Sequence, residues 1–181
     1  MKTKIFGKKK IKIKKLSRGD LKNVKKLQNF INSLIKENAQ ILLNKELSLK
    51  QEKKWLEEQL RRIKNRKTVF LIAEHNDIVV GTTQIDLRKE RQNHLGNFGI
   101  TIRKGYRGIG LGTYLTNEII KLAKRELKPK PKIIKLGVFS TNKIAIRFYR
   151  KYGFKKVAKI PKHNQFKGKL VDEIIMFLDL S

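Results

Sequence analysis

Cysteine is absent from this chain. Its absence excludes a disulfide framework, a cysteine nucleophile and any thiolate metal site. It also fits a reducing compartment. Long hydrophobic runs are missing as well. No uninterrupted apolar stretch approaches the roughly 18 residues of a membrane span, and the basic segment 1–10 lacks the apolar centre of a signal peptide. The expectation is a soluble, cytoplasmic protein with no membrane role. Acidic residues are the third scarcity: 15 Asp and Glu stand against 45 Lys and Arg, for a net charge of +30. Such a surface attracts polyanions, and RNA or ribosome association is one expectation. The lysines run through nearly every segment, so a solvated coat is the favoured explanation.

What is present is grouped. Hydrophobic residues make up only 39% of the chain, yet they fall into periodic segments, the mark of a folded core. The 181 residues suit one domain over 1–181, with its core at about 10–178. Residues 10–16 alternate Lys with Ile and Leu, a half-buried strand. Ser17-Arg18-Gly19-Asp20 supplies capping residues for an amphipathic helix to about residue 36. Ser48-Leu49-Lys50-Gln51 is a capping box for a second helix, with Trp55, Leu56, Leu60 and Ile63 as its inner stripe. The period then changes. Segments 68–74 and 78–87 form a hairpin around His75-Asn76-Asp77, and 95–102 is the next strand. A helix over about 108–127 is stopped by Pro129 and Pro131. Strand 133–139, helix 142–152 and strands 154–160 and 171–178 complete the order. This pattern predicts an α/β fold with a mixed, mostly antiparallel central sheet flanked by helices.

The chemistry concentrates at Arg107-Gly108-Ile109-Gly110-Leu111-Gly112-Thr113, between a strand and a helix. A helix opened through glycines offers unpaired N–H groups and the positive end of the helix dipole, a ready anion site. A Walker P-loop requires Gly-Lys-Ser/Thr at its end, which this turn lacks. A dinucleotide fingerprint requires a third glycine at Thr113 or Leu115, which is also missing. The glycines therefore make either a phosphate cradle of another type or a tight helix–strand packing.

Arg107-x-x-Gly110-x-Gly112 in this setting resembles the acetyl-CoA-binding motif of the GNAT superfamily of N-acetyltransferases. Asn142-Lys143-Ile144-Ala145-Ile146-Arg147-Phe148-Tyr149-Arg150-Lys151-Tyr152-Gly153-Phe154 resembles that family's Asn-x-x-Ala-x-x-Phe-Tyr-x-x-x-Gly-Phe signature. The element order is similar over nearly the whole chain. The resemblance implies a GNAT-like domain that moves the acetyl group of acetyl-CoA directly to a primary amine, without a covalent enzyme intermediate. It implies that the backbone of Ile100, Thr101 and Ile102 holds the pantetheine arm. The N–H groups of Gly108, Ile109, Gly110, Leu111, Gly112 and Thr113 would hold the pyrophosphate, with Arg107 neutralising phosphate charge. Asn142 would bond the cofactor, and Lys104 or Lys135 would reach its 3′-phosphate. Tyr149 stands at the family's position for the donor that serves the departing thiolate.

The base stays unassigned. Family members often carry a carboxylate where this chain has Asn97 or Gly137, neither of which accepts a proton at neutral pH. Glu74, His94 and Glu173 are candidate substitutes, each equally readable as a surface or hairpin residue, and an ordered water chain or an amine arriving uncharged needs no protein base. The resemblance places the acceptor between the first two helices and a loop near 163–168. Small amines, amino acids and protein amino groups are the expected acceptor classes, with cationic polyamines disfavoured by the charge. A sheet-edge homodimer is a further expectation. The rival class is a catalytically weak module of the same fold that binds RNA or regulates, supported by the basic surface alone.

Overall fold

Alternation and helical spacing translate directly into elements. The computed structural model describes residues 1–181. The strands are β1 (Lys2–Phe6), β2 (Lys9–Lys15), β3 (Thr68–His75), β4 (Ile78–Leu87), β5 (Leu95–Ile102), β6 (Ile133–Phe139), β7 (Lys155–Phe166) and β8 (Lys169–Asp179). The helices are α1 (Val24–Lys36), α2 (Leu49–Lys64), α3 (Leu111–Glu126) and α4 (Lys143–Lys151). All eight strands form one sheet in the order β1-β2-β3-β4-β5-β6-β8-β7. Every pairing is antiparallel except β5 with β6.

Each face of the sheet has its own core. On one face, Leu111, Leu115, Ile119 and Leu122 of α3 pack against Ile85, Phe98, Ile134 and Met176. On the other, Val24, Leu27, Phe30 and Leu34 of α1 and Leu56 of α2 cover Phe70, Ile72 and Val79. These α1 positions recur three and four residues apart, the spacing of one helical face. No helix is long and apolar enough to cross a membrane.

Five details depart from the sequence reading. β1 was unforeseen: only Phe6 in it is buried, and its ladder to β2 makes it a strand. The turn before α1 is a 3₁₀ segment, Arg18–Asn23. α3 starts at Leu111 rather than 108, because Gly108 and Gly110 take φ of +76° and +87°, values outside the helical region. Trp55 is 37% exposed, its edge against Phe70. The inner face of α2 holds Glu52, Leu56 and Gln59 instead. Finally, 163–168 is not an open loop. β7 runs to Phe166 through a bulge between Ile160 and Asn164, and Lys167-Gly168, both at positive φ, make a two-residue hairpin turn.

Candidate active site

The parallel pair β5–β6 is short. Its register covers only Leu95–Ile133, Gly96–Ile134 and Asn97–Lys135. Beyond Asn97 the two strands diverge: β5 continues to pair with β4 through Ile102, and β6 continues with β8 through Phe139. The edge of β5 from Phe98 onward therefore has no strand beside it. Backbone groups on such an edge are free to bond an extended ligand. Ile100, Thr101 and Ile102 lie on this stretch. Ile100 and Ile102 are anchored in the α3-side core, and the Thr101 hydroxyl meets that of Thr82 at 3.0 Å on the opposite face.

The glycine turn follows immediately. None of the backbone N–H groups from Gly108 to Thr113 donates within the protein; the ladder of α3 begins with Tyr114 N to Gly110 O at 3.1 Å. Six successive donors are thus free at the positive end of a sixteen-residue helix,. Nothing lies within 4 Å of the place a Cβ would take at Gly108, whereas at Gly112 it would stand 3.3 Å from Ile102 Cδ1 and 3.7 Å from Phe148. The glycines differ in what surrounds them. Gly108 and Gly110 shape an open cradle, and Gly112 lets α3 pack against β5 and α4.

The remaining motif residues surround the divergence. The Tyr149 ring packs edge-on against Phe98 at 6.1 Å and beside Phe148 and Phe154. Its hydroxyl has no protein hydrogen-bond partner, and burial pushes its pKa up to about 12. It is a neutral donor throughout the physiological range. Asn142 caps α4, its Oδ1 accepting from Ala145 N at 3.1 Å, which leaves its Nδ2 donors unused. Arg107 donates from Nε to Ile102 O at 2.7 Å and pairs with Glu37 at the end of α1. Its charge is already balanced by a partner 70 residues away, which no local pattern reveals.

The base candidates separate by position. Glu74 is engaged with Lys14 at 3.0 Å, in a cluster that includes Asp20. His94 precedes β5 at the closed end of the β5–β6 pair, its carbonyl accepting from Lys132 and Ile133. Glu173, on β8, lies at the divergence. Its carboxylate fills the space above Gly137 where a side chain would otherwise stand. His163 Nε2 is 3.3 Å from Glu173 Oε2. The β7 bulge turns His163 toward that carboxylate, and the amide nitrogen of neighbouring Asn164 is buried without a partner. Gln40, in the segment between α1 and α2, reaches Thr141 at 3.2 Å just past β6. A cavity of about 470 Å³ lined by Leu16, Ile63, Phe70 and Leu122 contains none of these groups.

An open parallel pair, a run of free N–H groups and a tyrosine hydroxyl without a protein partner thus belong to neighbouring parts of the sheet. The model of the Acetyltransferase (GNAT) family matches residues 35–154, which include both the glycine turn and the Asn142–Phe154 motif. The chain belongs to this family. Among curated proteins it is 32% identical over 107 residues to L-amino acid N-acetyltransferase AaaT of Escherichia coli (strain K12), covering 59% of this chain. The chain spans 65% of the length of that relative. A GNAT-family acetyltransferase from Streptococcus pneumoniae shares the fold with a TM-score of 0.80 at 22% identity, over 94% of this chain and 99% of that one. The yncA protein of Salmonella typhimurium, solved with its cofactor acetyl-CoA, superposes with a TM-score of 0.77 at 21% identity, over 94% of each chain.

Proposed function

We propose that this protein is an acetyl-CoA-dependent N-acetyltransferase whose acceptor is a primary amine, with amino acids the first class to test. The observation that carries the reading is the run of six free N–H donors from Gly108 to Thr113, set at the mouth of the β5–β6 divergence. Such a run suits a pyrophosphate. The edge of β5 along Ile100, Thr101 and Ile102, with Ile102 O already accepting from Arg107 Nε, suits the amide groups of pantetheine through its remaining free groups, and Asn142 offers its Nδ2. Acetyl-CoA supplies an activated acyl carbon, a thioester open to direct attack by an amine. Family membership supports the reaction class. Similarity to an L-amino acid N-acetyltransferase of Escherichia coli supports an amino-acid acceptor.

Tyr149 serves the leaving group as a hydrogen-bond donor. Full proton transfer from a phenol pushed up to about 12 to a thiolate runs uphill, because an alkyl thiol is the stronger acid of the two. Its contribution is stabilisation of the charge developing on sulfur, the kind of effect that preorganised donors provide. The test has two parts. Acetyl-CoA should raise the melting temperature. Thiol release should then be screened over amino acids, simple amines and N-terminal peptides. No release with any amine overturns the reading, even where acetyl-CoA binds.

A further inference from the structure

We infer that Glu173, steadied by His163, is the group that takes the proton from the acceptor amine. The inference rests on the N-acetyltransferase reading above. Its basis is where the sheet places two groups. The last paired step of β5–β6 is Asn97–Lys135. At the first open step, Phe98 of β5 carries the Tyr149 ring on the α3 face. On β6, Gly137 shares the opposite face with Lys135, and the Glu173 carboxylate lies over it. Donor and carboxylate therefore flank the same opening from opposite faces. An amine arriving on the Glu173 face attacks while the sulfur departs toward Tyr149.

Three features favour a chemical role for this carboxylate over a packing one. The residue at 137 is a glycine whose φ is not in the left-handed region, so its backbone imposes no need for glycine. What the missing Cβ provides is room for the carboxylate. The Glu173 side chain is 15% exposed and touches no Lys or Arg; its one charged or titratable partner is His163, 51% exposed. The imidazole links a sheltered carboxylate to water. A bulge in β7 between Ile160 and Asn164 re-aims the chain at His163, and bulges commonly redirect a side chain in this way. Both residues lie outside the span matched by the family model.

The step balances. The acceptor arrives as an ammonium and gives one proton to the Glu173 carboxylate, which passes it to solvent beside His163. The nitrogen lone pair forms the C–N bond to the acetyl carbon. The C–S bond breaks with its electron pair going to sulfur. The second nitrogen proton neutralises the thiolate through water, so one proton is released per turnover.

The test compares wild type, Glu173→Ala, Glu173→Gln and the double variant Glu173→Ala/Gly137→Glu, each with acetyl-CoA and the best amine of the screen. Wild-type thiol release with an amine establishes the underlying reading first; without it, that reading and this inference fall together. Glu173→Ala and Glu173→Gln should lower kcat by roughly 10²-fold or more, with the melting-temperature shift from acetyl-CoA unchanged. The glutamine variant keeps the shape, so it decides the matter if the alanine variant folds poorly. Returning a carboxylate from the neighbouring strand in the double variant should recover at least about tenfold of the loss, the scale of one general base partly restored. A glutamine variant within about threefold of wild type in kcat, well short of what a base contributes, overturns the inference. So does a loss that Gly137→Glu leaves unrelieved, because a carboxylate returned to the same opening would then fail to replace the one removed.

Discussion

Two side chains carry the sharpest expectations. Tyr149→Phe removes only a hydroxyl that makes no internal hydrogen bond, so folding should be unaffected. kcat should fall by about 10²-fold, as it does when one preorganised donor is lost. KM for acetyl-CoA should stay near its wild-type value; a kcat within threefold of wild type by thiol release would remove Tyr149 from the mechanism. Glu52 is a different case. It faces inward on α2 with no cation beside it, and burial raises its pKa from 4.5 to about 7. A raised carboxyl pKa means that the folded state holds its proton longer than the unfolded state. Stability is therefore complete below pH 4.5 and is lost as pH rises toward about 7,. The loss is about 2 kcal/mol once partial contact with water is allowed for. Urea unfolding of Glu52→Gln should show that slope flattened and a gain of similar size at pH 8. None of this was visible in the sequence, where Glu52 reads as one of many charged helix residues; Trp55, the expected inner residue, lies at the margin instead. Tyr149 was legible because its neighbours form a motif.

Among elements, helix ends and hairpins were the most legible. Ser48 and Gln51 form the capping box their spacing predicts, with Ser48 N donating to Gln51 Oε1 at 2.8 Å and Gln51 N donating to Ser48 Oγ at 3.3 Å. Ser48→Ala should cost about 1 kcal/mol in chemical denaturation. At α3 the glycines decide more than stability. Gly110 holds φ +87°, so Gly110→Val should strain the turn by about 1–2 kcal/mol. The same change tilts the free N–H groups of Leu111 to Thr113, and the melting-temperature shift from acetyl-CoA should shrink with it. An unchanged shift would place the phosphates elsewhere. β1 and the long β7 were less legible for a shared reason. Both are edge strands rich in lysine, with little burial to impose a period of two. Their ladders to β2 and β8 define them.

For the whole molecule, the charge of +30 is a field rather than a site. Arg107 is balanced by Glu37, Lys14 by Asp20 and Glu74, and most other cations remain solvated. A polyanionic ligand approaching this surface is attracted at long range and screened by salt. Affinity for acetyl-CoA should accordingly fall roughly tenfold between 0.05 and 0.5 M salt. Titration calorimetry at the two ionic strengths checks this, and an affinity independent of salt would leave the surface charge without a part in binding.

By itself the sequence determined the alternation of strands and helices, the glycine turn with its unpaired N–H groups and the Asn142–Phe154 motif, because each depends on residues near one another in the chain. Only the tertiary structure decided where β5 and β6 part, since a ladder that stops leaves no mark in either strand. It also decided that Glu173 stands where Gly137 has no side chain. That juxtaposition joins two strands whose register is set by the packing of the whole sheet, and no local pattern encodes it.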